Sequence, residues 1–161
     1  MQIIKVNNSQ IKELSHFARD VFIDYYIDII GYDQATYMTD LFLSEKAIRK
    51  LMYEGAIFKI IKTKDNIAAF SEYLKEDRKV FLSKLYVHKD YRHQGLGKIL
   101  LKDCIDYARE NNCDSIYLTV NKNNNDSINI YRHLGFKTID SVVNDIGNNY
   151  VMDDYIMELK I

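Results

Sequence analysis

The spacing of apolar residues switches from a helical to a strand period near Ala56, and that switch limits the folds open to this chain. Before Ala56, apolar residues recur at three- and four-residue steps, which is typical of amphipathic helices. After it they alternate with polar residues, which is typical of strands that bury one face. The first part predicts a short strand at residues 3–6, a helix capped within residues 7–9, and a helical region at 33–54 that is broken near Ser44.

The part after Ala56 predicts a sheet with one helical crossover. Three consecutive antiparallel strands are expected at residues 57–61, 67–74 and 80–87. A helix at 96–108 ends in a left-handed cap at Asn111 and Asn112, and it is followed by a strand at 116–120, a short helix at 125–134 closed at Gly135, and strands at 137–143 and 150–159. The strand, helix and strand between Val80 and Val120 form a parallel βαβ crossover in an otherwise antiparallel sheet. The predicted class is α+β, or mixed α/β.

Length and charge favour one domain and argue against a nucleic-acid partner. A chain of 161 residues is close to the ~150 residues expected of a single domain, and no repeat or linker divides it. We therefore expect one domain over residues 1–161. The net charge of -1 lacks the basic excess that phosphate neutralisation requires.

The cysteines, histidines and apolar runs predict a cytoplasmic protein without a metal site. Cys104 and Cys113 form no CxxC pair and the four histidines are scattered, so no metal-ligand spacing is present. Two cysteines without a disulfide framework are typical of a reducing compartment. No apolar run approaches the ~20 residues of a membrane span, and residues 1–10 lack a charged leader with an apolar core.

A glycine pair between a strand and a helix carries the clearest chemical signal. Gly95 and Gly97 lie just before and within the first turn of the helix at 96–108, where unpaired N–H groups and the helix dipole favour an anion. Arg92, His93 and Lys98 add charge and donors. A phosphate-bearing ligand is predicted, and a tight connection without a ligand is the alternative.

Two common phosphate loops are excluded by single positions. A Walker loop needs a serine or threonine after its lysine, but Ile99 follows Lys98. A dinucleotide-binding fingerprint needs a third glycine where Leu100 stands, and the predicted sheet order is wrong for a doubly wound fold.

The chain resembles the GCN5-related N-acetyltransferases (GNAT) in two motifs. The first is Arg92-x-x-Gly95-x-Gly97, which follows the strand end Leu85-Tyr86-Val87. The second is Asn124-x-x-Ser127-x-x-x-Tyr131-x-x-x-Gly135-Phe136, after a strand that ends in Asn121, with Ser127 where the family normally has alanine. The separation of the motifs and the order of elements also fit. The resemblance implies a mixed, mostly antiparallel sheet of about seven strands with flanking helices.

The resemblance implies acetyl-CoA as acetyl donor and no metal. Leu85, Tyr86 and Val87 would pair with the pantetheine arm, and an amide near Leu85 would polarise the thioester carbonyl. The pyrophosphate would be held by amides of the loop, with charge from Arg92; this set is Arg92, His93, Gln94, Gly95, Leu96, Gly97 and Lys98. Asn121 and Asn124 would bond the pantetheine or the far end of the ligand, and Asn124 is equally placed to cap the short helix. A side chain at Gly97 is expected to crowd the phosphate-facing amides and weaken binding.

Tyr131 is the implied general acid that protonates the leaving CoA thiolate, and core packing is its alternative role. No base is identified. Ser83 stands where family members often carry a glutamate, and Glu72 on the preceding strand is a weak substitute.

The resemblance implies an N-acetyltransferase that acts on a primary amine of a small molecule or peptide in a ternary complex. Its alternative is a non-catalytic acyl-CoA-binding or sensing domain, which the serine at position 83 favours.

Acidic residues in the first helices and the last strands are expected to be mostly solvated, and a few of them to attract a cationic acceptor such as a polyamine. This acidic set is Asp20, Asp24, Asp28, Asp33, Asp40, Asp145, Asp153, Asp154 and Glu158. Residues 152–157 have a faint similarity to the polyamine-acetylating branch. Exposed strand edges leave a homodimer open, and no nucleic acid or membrane partner is expected.

Overall fold

The computed structural model describes residues 1–161 and contains one seven-stranded sheet flanked by five α-helices. The elements are β1 (Gln2–Lys5), α1 (Ile11–Ile30), α2 (Tyr32–Phe42), α3 (Glu45–Tyr53), β2 (Ile57–Lys62), β3 (Ile67–Glu76), β4 (Lys79–Val87), α4 (Leu96–Glu110), β5 (Ser115–Asn121), α5 (Asn125–His133), β6 (Lys137–Gly147) and β7 (Tyr150–Lys160). The strand order is β1-β2-β3-β4-β5-β7-β6, and only β4 and β5 are parallel. The predicted α+β, mixed-sheet class is confirmed.

The helix ends follow local sequence, with one correction. The Ser44 hydroxyl accepts the Ala47 N–H at 3.1 Å and starts α3, which confirms the predicted break. Asn112 has φ 57°, so α4 ends in the expected left-handed residue. Asn7 does not cap α1 directly. With Gln10 it forms a capping box around a short 3₁₀ turn, and α1 begins only at Ile11 because that turn comes first.

The two faces of the sheet bury separate apolar clusters. We call the first the α1 face, where α1, α2 and α3 cover Phe58, Ile60 and Phe70. We call the other the α4 face, where α4 and α5 pack on residues such as Leu82 and Leu118. Along β5, successive side chains alternate between the two faces, so Thr119 and Asn121 lie on the α1 face.

The parallel pair at the centre of the sheet separates after three residues. Residues 79–81 of β4 pair with residues 115–117 of β5, and beyond them the two strands diverge. A bulge at Ser83 shifts the register of β3 against β4, so that Glu72 lies opposite Lys84. The diverging strands leave a cleft at their carboxyl ends.

Candidate active site

The cleft between β4 and β5 has a volume of about 830 Å³ and contains most of the predicted site residues. Those that line it are Leu85, Tyr86, Val87, Arg92, His93, Gly95, Leu96, Gly97, Lys98, Asn124 and Tyr131. Gln94 and Asn121 do not line it. The Asn121 side chain instead accepts the Asn123 N–H at 2.9 Å and shapes the turn after β5.

The loop at residues 92–97 presents backbone amides to one end of the cleft. His93 and Gly95 have positive φ of 61° and 80°, and no side chain caps the start of α4. The first-turn N–H groups of α4 therefore have neither a helical partner nor a cap, which suits an anion. A Cβ at Gly95 would meet nothing within 4 Å, so backbone geometry, and not space, favours glycine there.

Gly97 has room for a methyl group on the side that faces β4. A Cβ at this position would meet Leu85 Cδ2 at 3.6 Å and Val87 Cγ2 at 3.9 Å, which are ordinary contacts. An added methyl group would therefore point at β4 and pack against it. The expected crowding of the phosphate-facing amides stays a prediction, and it concerns side chains larger than this methyl group.

Most of the basic residues around the loop are already paired. Lys84 forms an ion pair with Glu72, Lys102 with Asp106 at 2.5 Å, and Lys89 lies 4.0 Å from Asp24. Arg92 and Lys98 remain at the cleft. The Arg92 Nε–H donates to the Val87 carbonyl at 3.3 Å, and its guanidinium stacks 5.5 Å from the centre of the Tyr25 ring. The positive charge available to an anion is therefore concentrated at these two residues.

One edge of β4 is available to a ligand. Residues 84–87 of β4 pair with β3 on one side and have no partner strand on the side that faces β5. Backbone groups on that side can accept an extended ligand as an added strand. Ser83 also lines the cleft, at the bulge where this free edge begins.

Asn124 combines a structural bond with an unused donor. Its Oδ1 accepts the Ser127 N–H at 3.2 Å, which caps α5, and also accepts the Tyr25 hydroxyl at 3.0 Å. Its Nδ2 is buried and has no hydrogen-bond partner. The predicted capping role of Asn124 is confirmed, and its bond to a ligand stays a prediction for which the free Nδ2 is the available donor.

Tyr131 lies in the cleft wall with its ring held edge-on against Phe136, at 5.4 Å between ring centres. Burial raises its pKa, and the nearby Tyr26 and Tyr25 raise it further. The hydroxyl is therefore protonated across the physiological range, so it can act as a proton donor and not as a base.

Sequence reasoning missed a group of tyrosines around Tyr131. Tyr25, Tyr26 and Tyr86 also line the cleft, and the Tyr86 and Tyr26 hydroxyls are 3.5 Å apart. Burial raises the pKa of both Tyr26 and Tyr86. No local pattern marks these residues as a group, because α1 and β4 bring them together only in the folded chain.

The acidic residues are mostly solvated, as expected, but Glu158 is half-buried and Asp154 is buried. Asp40 pairs with Arg19, Asp153 with Lys122 and Glu158 with Lys79. Asp154 is instead buried, with 4% of its surface exposed. Glu72 is also buried, but the Lys84 ammonium neutralises it, so it is not a free base.

Two general features complete the description of the site. No group of three or more histidine, cysteine, aspartate or glutamate side chains is arranged to hold a metal ion. None of the α-helices combines the length and apolar character needed to cross a membrane.

Comparison with known proteins gives matches to one family. The model of the acetyltransferase (GNAT) family matches residues 17–136. A probable spermine N(1)-acetyltransferase of Bacillus subtilis subsp. natto is 35% identical over 71 residues, which are 42% of this chain and 47% of that protein. The match thus spans about half the length of that relative.

Solved structures give the same fold over nearly the whole chain. The PaiA N-acetyltransferase of Thermoplasma acidophilum in complex with coenzyme A has a TM-score of 0.85 at 21% identity, and the match covers 99% of this chain and 98% of that one. The ribosomal-protein-S18-alanine N-acetyltransferase of Escherichia coli has a TM-score of 0.70 at 22% identity, with 99% and 93% covered. Together with the family model, which matches more than half of the chain, the site motifs and the sheet establish that this chain belongs to the acetyltransferase (GNAT) family.

Proposed function

We propose that this chain is a single-domain N-acetyltransferase that moves the acetyl group of acetyl-CoA to a primary amine. One observation carries the proposal. A single cleft joins an uncapped helix start, a free strand edge and a tyrosine whose hydroxyl has no protein partner. The uncapped helix start suits a phosphate, the free strand edge suits an extended amide arm, and the tyrosine suits a leaving thiolate.

The donor would be held along the cleft by charge at one end and by backbone pairing in the middle. Arg92 and Lys98, with the first amides of α4, suit a pyrophosphate. The free edge of β4 suits the two amides of pantetheine, and the unpartnered Nδ2 of Asn124 can donate to a carbonyl of that arm.

The chemistry needs a donor to the thioester carbonyl and a proton for the leaving sulfur. A free β4 amide near Leu85 would stabilise the developing oxyanion. Tyr131 would give its proton to the sulfur as the carbon–sulfur bond breaks, because the burial that raises the pKa of Tyr131 also disfavours a charged thiolate beside it. The geometry of the cleft supports direct attack by the amine in a ternary complex.

The acceptor would approach from the α1 face, between α1 and the β6–β7 hairpin. The Tyr37 hydroxyl donates to the Ile146 carbonyl at 2.6 Å, so α2 and the hairpin are joined on that side.

The Bacillus relative supports a polyamine as the finer assignment of the acceptor. Most of the acidic residues that first suggested a cationic acceptor are exposed or paired, so they supply no strong site for several ammonium groups.

The test is titration calorimetry with acetyl-CoA and with CoA, followed by an acceptor screen that detects free CoA thiol. Spermidine, spermine, amino acids and a short peptide should be included, and turnover is expected with at least one primary amine. Tight binding of acetyl-CoA without turnover on any acceptor would favour a non-catalytic acyl-CoA sensor, which Ser83 in place of a glutamate would explain.

Replacing Gly95 by alanine is expected to weaken CoA binding about tenfold. Alanine relieves the left-handed strain at φ 80° by leaving that conformation in the free protein, so CoA binding has to restore it at a cost of ~1–2 kcal/mol, and a tenfold change in affinity is ~1.4 kcal/mol. The matched control is Gly97→Ala, whose methyl group makes ordinary contacts with β4 and should leave the affinity within about twofold. Calorimetry with CoA checks both, and a larger loss for Gly97→Ala would contradict this account of the loop.

A further inference from the structure

Tyr25 contacts both sides of the cleft, although the proposed reaction gives it no role. It is a half-buried residue of α1 that lines the cleft. Its hydroxyl bonds Asn124 and Ser127 at the start of α5, and its ring lies against the guanidinium of Arg92 in the loop after β4. One side chain thus joins a residue expected to hold the pantetheine arm to a residue expected to hold the pyrophosphate.

The Tyr25 hydroxyl belongs to a chain of hydrogen bonds with a fixed direction. Asn124 Oδ1 accepts the Ser127 N–H at 3.2 Å, so this atom is the amide oxygen and not the nitrogen. The Tyr25 hydroxyl therefore donates its one proton to Asn124 Oδ1, at 3.0 Å. Because that proton is used, Ser127 is the donor in the 2.6 Å bond between the Tyr25 and Ser127 hydroxyls. The alanine that the GNAT pattern normally has at position 127 could not make this bond.

Two hydrogen bonds to Oδ1 hold the Asn124 amide in one orientation. A flipped amide would set the Nδ2 donor against the Ser127 N–H, and the bond from Tyr25 restrains the amide from a second direction. Nδ2 is thereby left without a partner on a residue that lines the cleft and is 2% exposed. A buried donor without a partner destabilises the free protein, so a ligand that brings an acceptor to it gains affinity.

The Tyr25 ring restrains Arg92 on the other side of the cleft. The centre of the ring lies 5.5 Å from the guanidinium carbon, and the Arg92 Nε–H donates to the Val87 carbonyl at 3.3 Å. These contacts order a long side chain before a ligand binds, which removes part of the entropy cost of binding. The bond to Val87 uses Nε, so the two terminal nitrogens of Arg92 remain for an anion.

We propose that Tyr25 is a positioning residue for CoA that prearranges both sides of the cleft. Its hydroxyl, oriented by Ser127, holds the Asn124 amide so that Nδ2 is available to the pantetheine arm. Its ring holds the Arg92 guanidinium for the pyrophosphate. The inference rests on the proposed function for the identity of the ligand, and it adds the residue that prepares two of the ligand's contacts.

The experiment is a double-mutant cycle in which titration calorimetry measures the affinity for CoA. Tyr25→Phe keeps the ring beside Arg92 but removes the hydroxyl, so CoA has to order the Asn124 amide and should bind about fivefold more weakly. Asn124→Ser keeps a good cap for α5 but has no amide, and it should bind CoA about tenfold more weakly. The double variant has no amide left to hold, so its affinity should equal that of Asn124→Ser within about twofold. Independent losses would instead multiply to about fiftyfold.

Tyr25→Leu tests the ring in the same cycle. It should bind CoA about threefold more weakly than Tyr25→Phe, both alone and combined with Asn124→Ser, because the contact with Arg92 does not pass through Asn124. Tyr37→Phe is the matched control. It removes a hydroxyl that bonds the Ile146 carbonyl at 2.6 Å outside the cleft, and it should leave the affinity for CoA unchanged.

The outcomes separate this inference from the proposed function. Unchanged affinity in Tyr25→Phe, losses that multiply in the double variant, or an equal loss in Tyr37→Phe would overturn the role of the hydroxyl. Equal affinities of Tyr25→Leu and Tyr25→Phe would overturn the role of the ring. CoA binding by the wild type stands in all of these cases. Absence of CoA binding by the wild type would instead refute the proposed function, and this inference with it.

Discussion

Tyr131→Phe is expected to lower kcat by about a hundredfold or more while leaving the affinity for acetyl-CoA unchanged. Phenylalanine keeps the ring that packs edge-on against Phe136 and removes only the hydroxyl. Because burial raises the pKa of Tyr131, the wild-type hydroxyl stays protonated throughout the assay range, so the deficit should not vary with pH. Single-turnover kinetics with saturating amine would measure the chemical step directly.

Tyr107→Phe is the matched control for this substitution. Tyr107 is a half-buried tyrosine of α4 whose ring lies 5.1 Å from that of Tyr73, and it does not line the cleft. Its kcat should equal that of the wild type. If Tyr131→Phe also retained full turnover with every active acceptor, the thiolate would take its proton from another group or from water.

The parts of the site that could be predicted from the sequence are those set by short-range pattern. Gly95 and Tyr131 belong to motifs whose residues lie close together in the chain, after a strand end or within one helix. Their spacing alone therefore locates them. The same holds for the strands and helices, whose apolar periods are local. The break at Ser44 is an example, since one capping hydroxyl and the following helical period are enough to predict it.

The remaining site residues depend on contacts between distant segments. Asp153 and Asp154 are adjacent, and strand alternation places one on each face without saying which face is covered. Burial of Asp154 depends on packing between segments that are far apart in the chain, which no local pattern contains. The tyrosine group has the same origin, because Tyr26 and Tyr86 meet only when α1 packs on β4.

Strand register also could not be predicted from the sequence, and the bulge at Ser83 shows why. The hairpin register from Glu76 and Lys79 places Tyr73 opposite Leu82, so a regular ladder would place Glu72 opposite Ser83. The extra residue shifts the ladder by one, and Glu72 meets Lys84 instead. A single bulge thus converts a candidate base into half of a buried ion pair, and the sequence carries no mark of it.

Lys84→Met is expected to lower the free energy of unfolding by about 3–5 kcal/mol. The side chains of Lys84 and Glu72 are 11% and 4% exposed, so removing the ammonium leaves a carboxylate with almost no access to water. Methionine keeps most of the length and apolar contact of the lysine stem, so the loss reports the unpaired charge and not a cavity. Urea unfolding monitored by circular dichroism would give the difference directly.

Two controls isolate the charge effect. Lys102→Met removes the lysine of an exposed pair with Asp106 and should change the free energy of unfolding by no more than about 0.5 kcal/mol. The double variant Glu72→Met/Lys84→Met replaces the whole pair by apolar side chains and should recover most of the lost stability, because no uncompensated charge is then buried. If Lys84→Met were no more destabilising than Lys102→Met, water would have to reach Glu72 in the folded protein. Glu72 would then return as a candidate base beside Ser83.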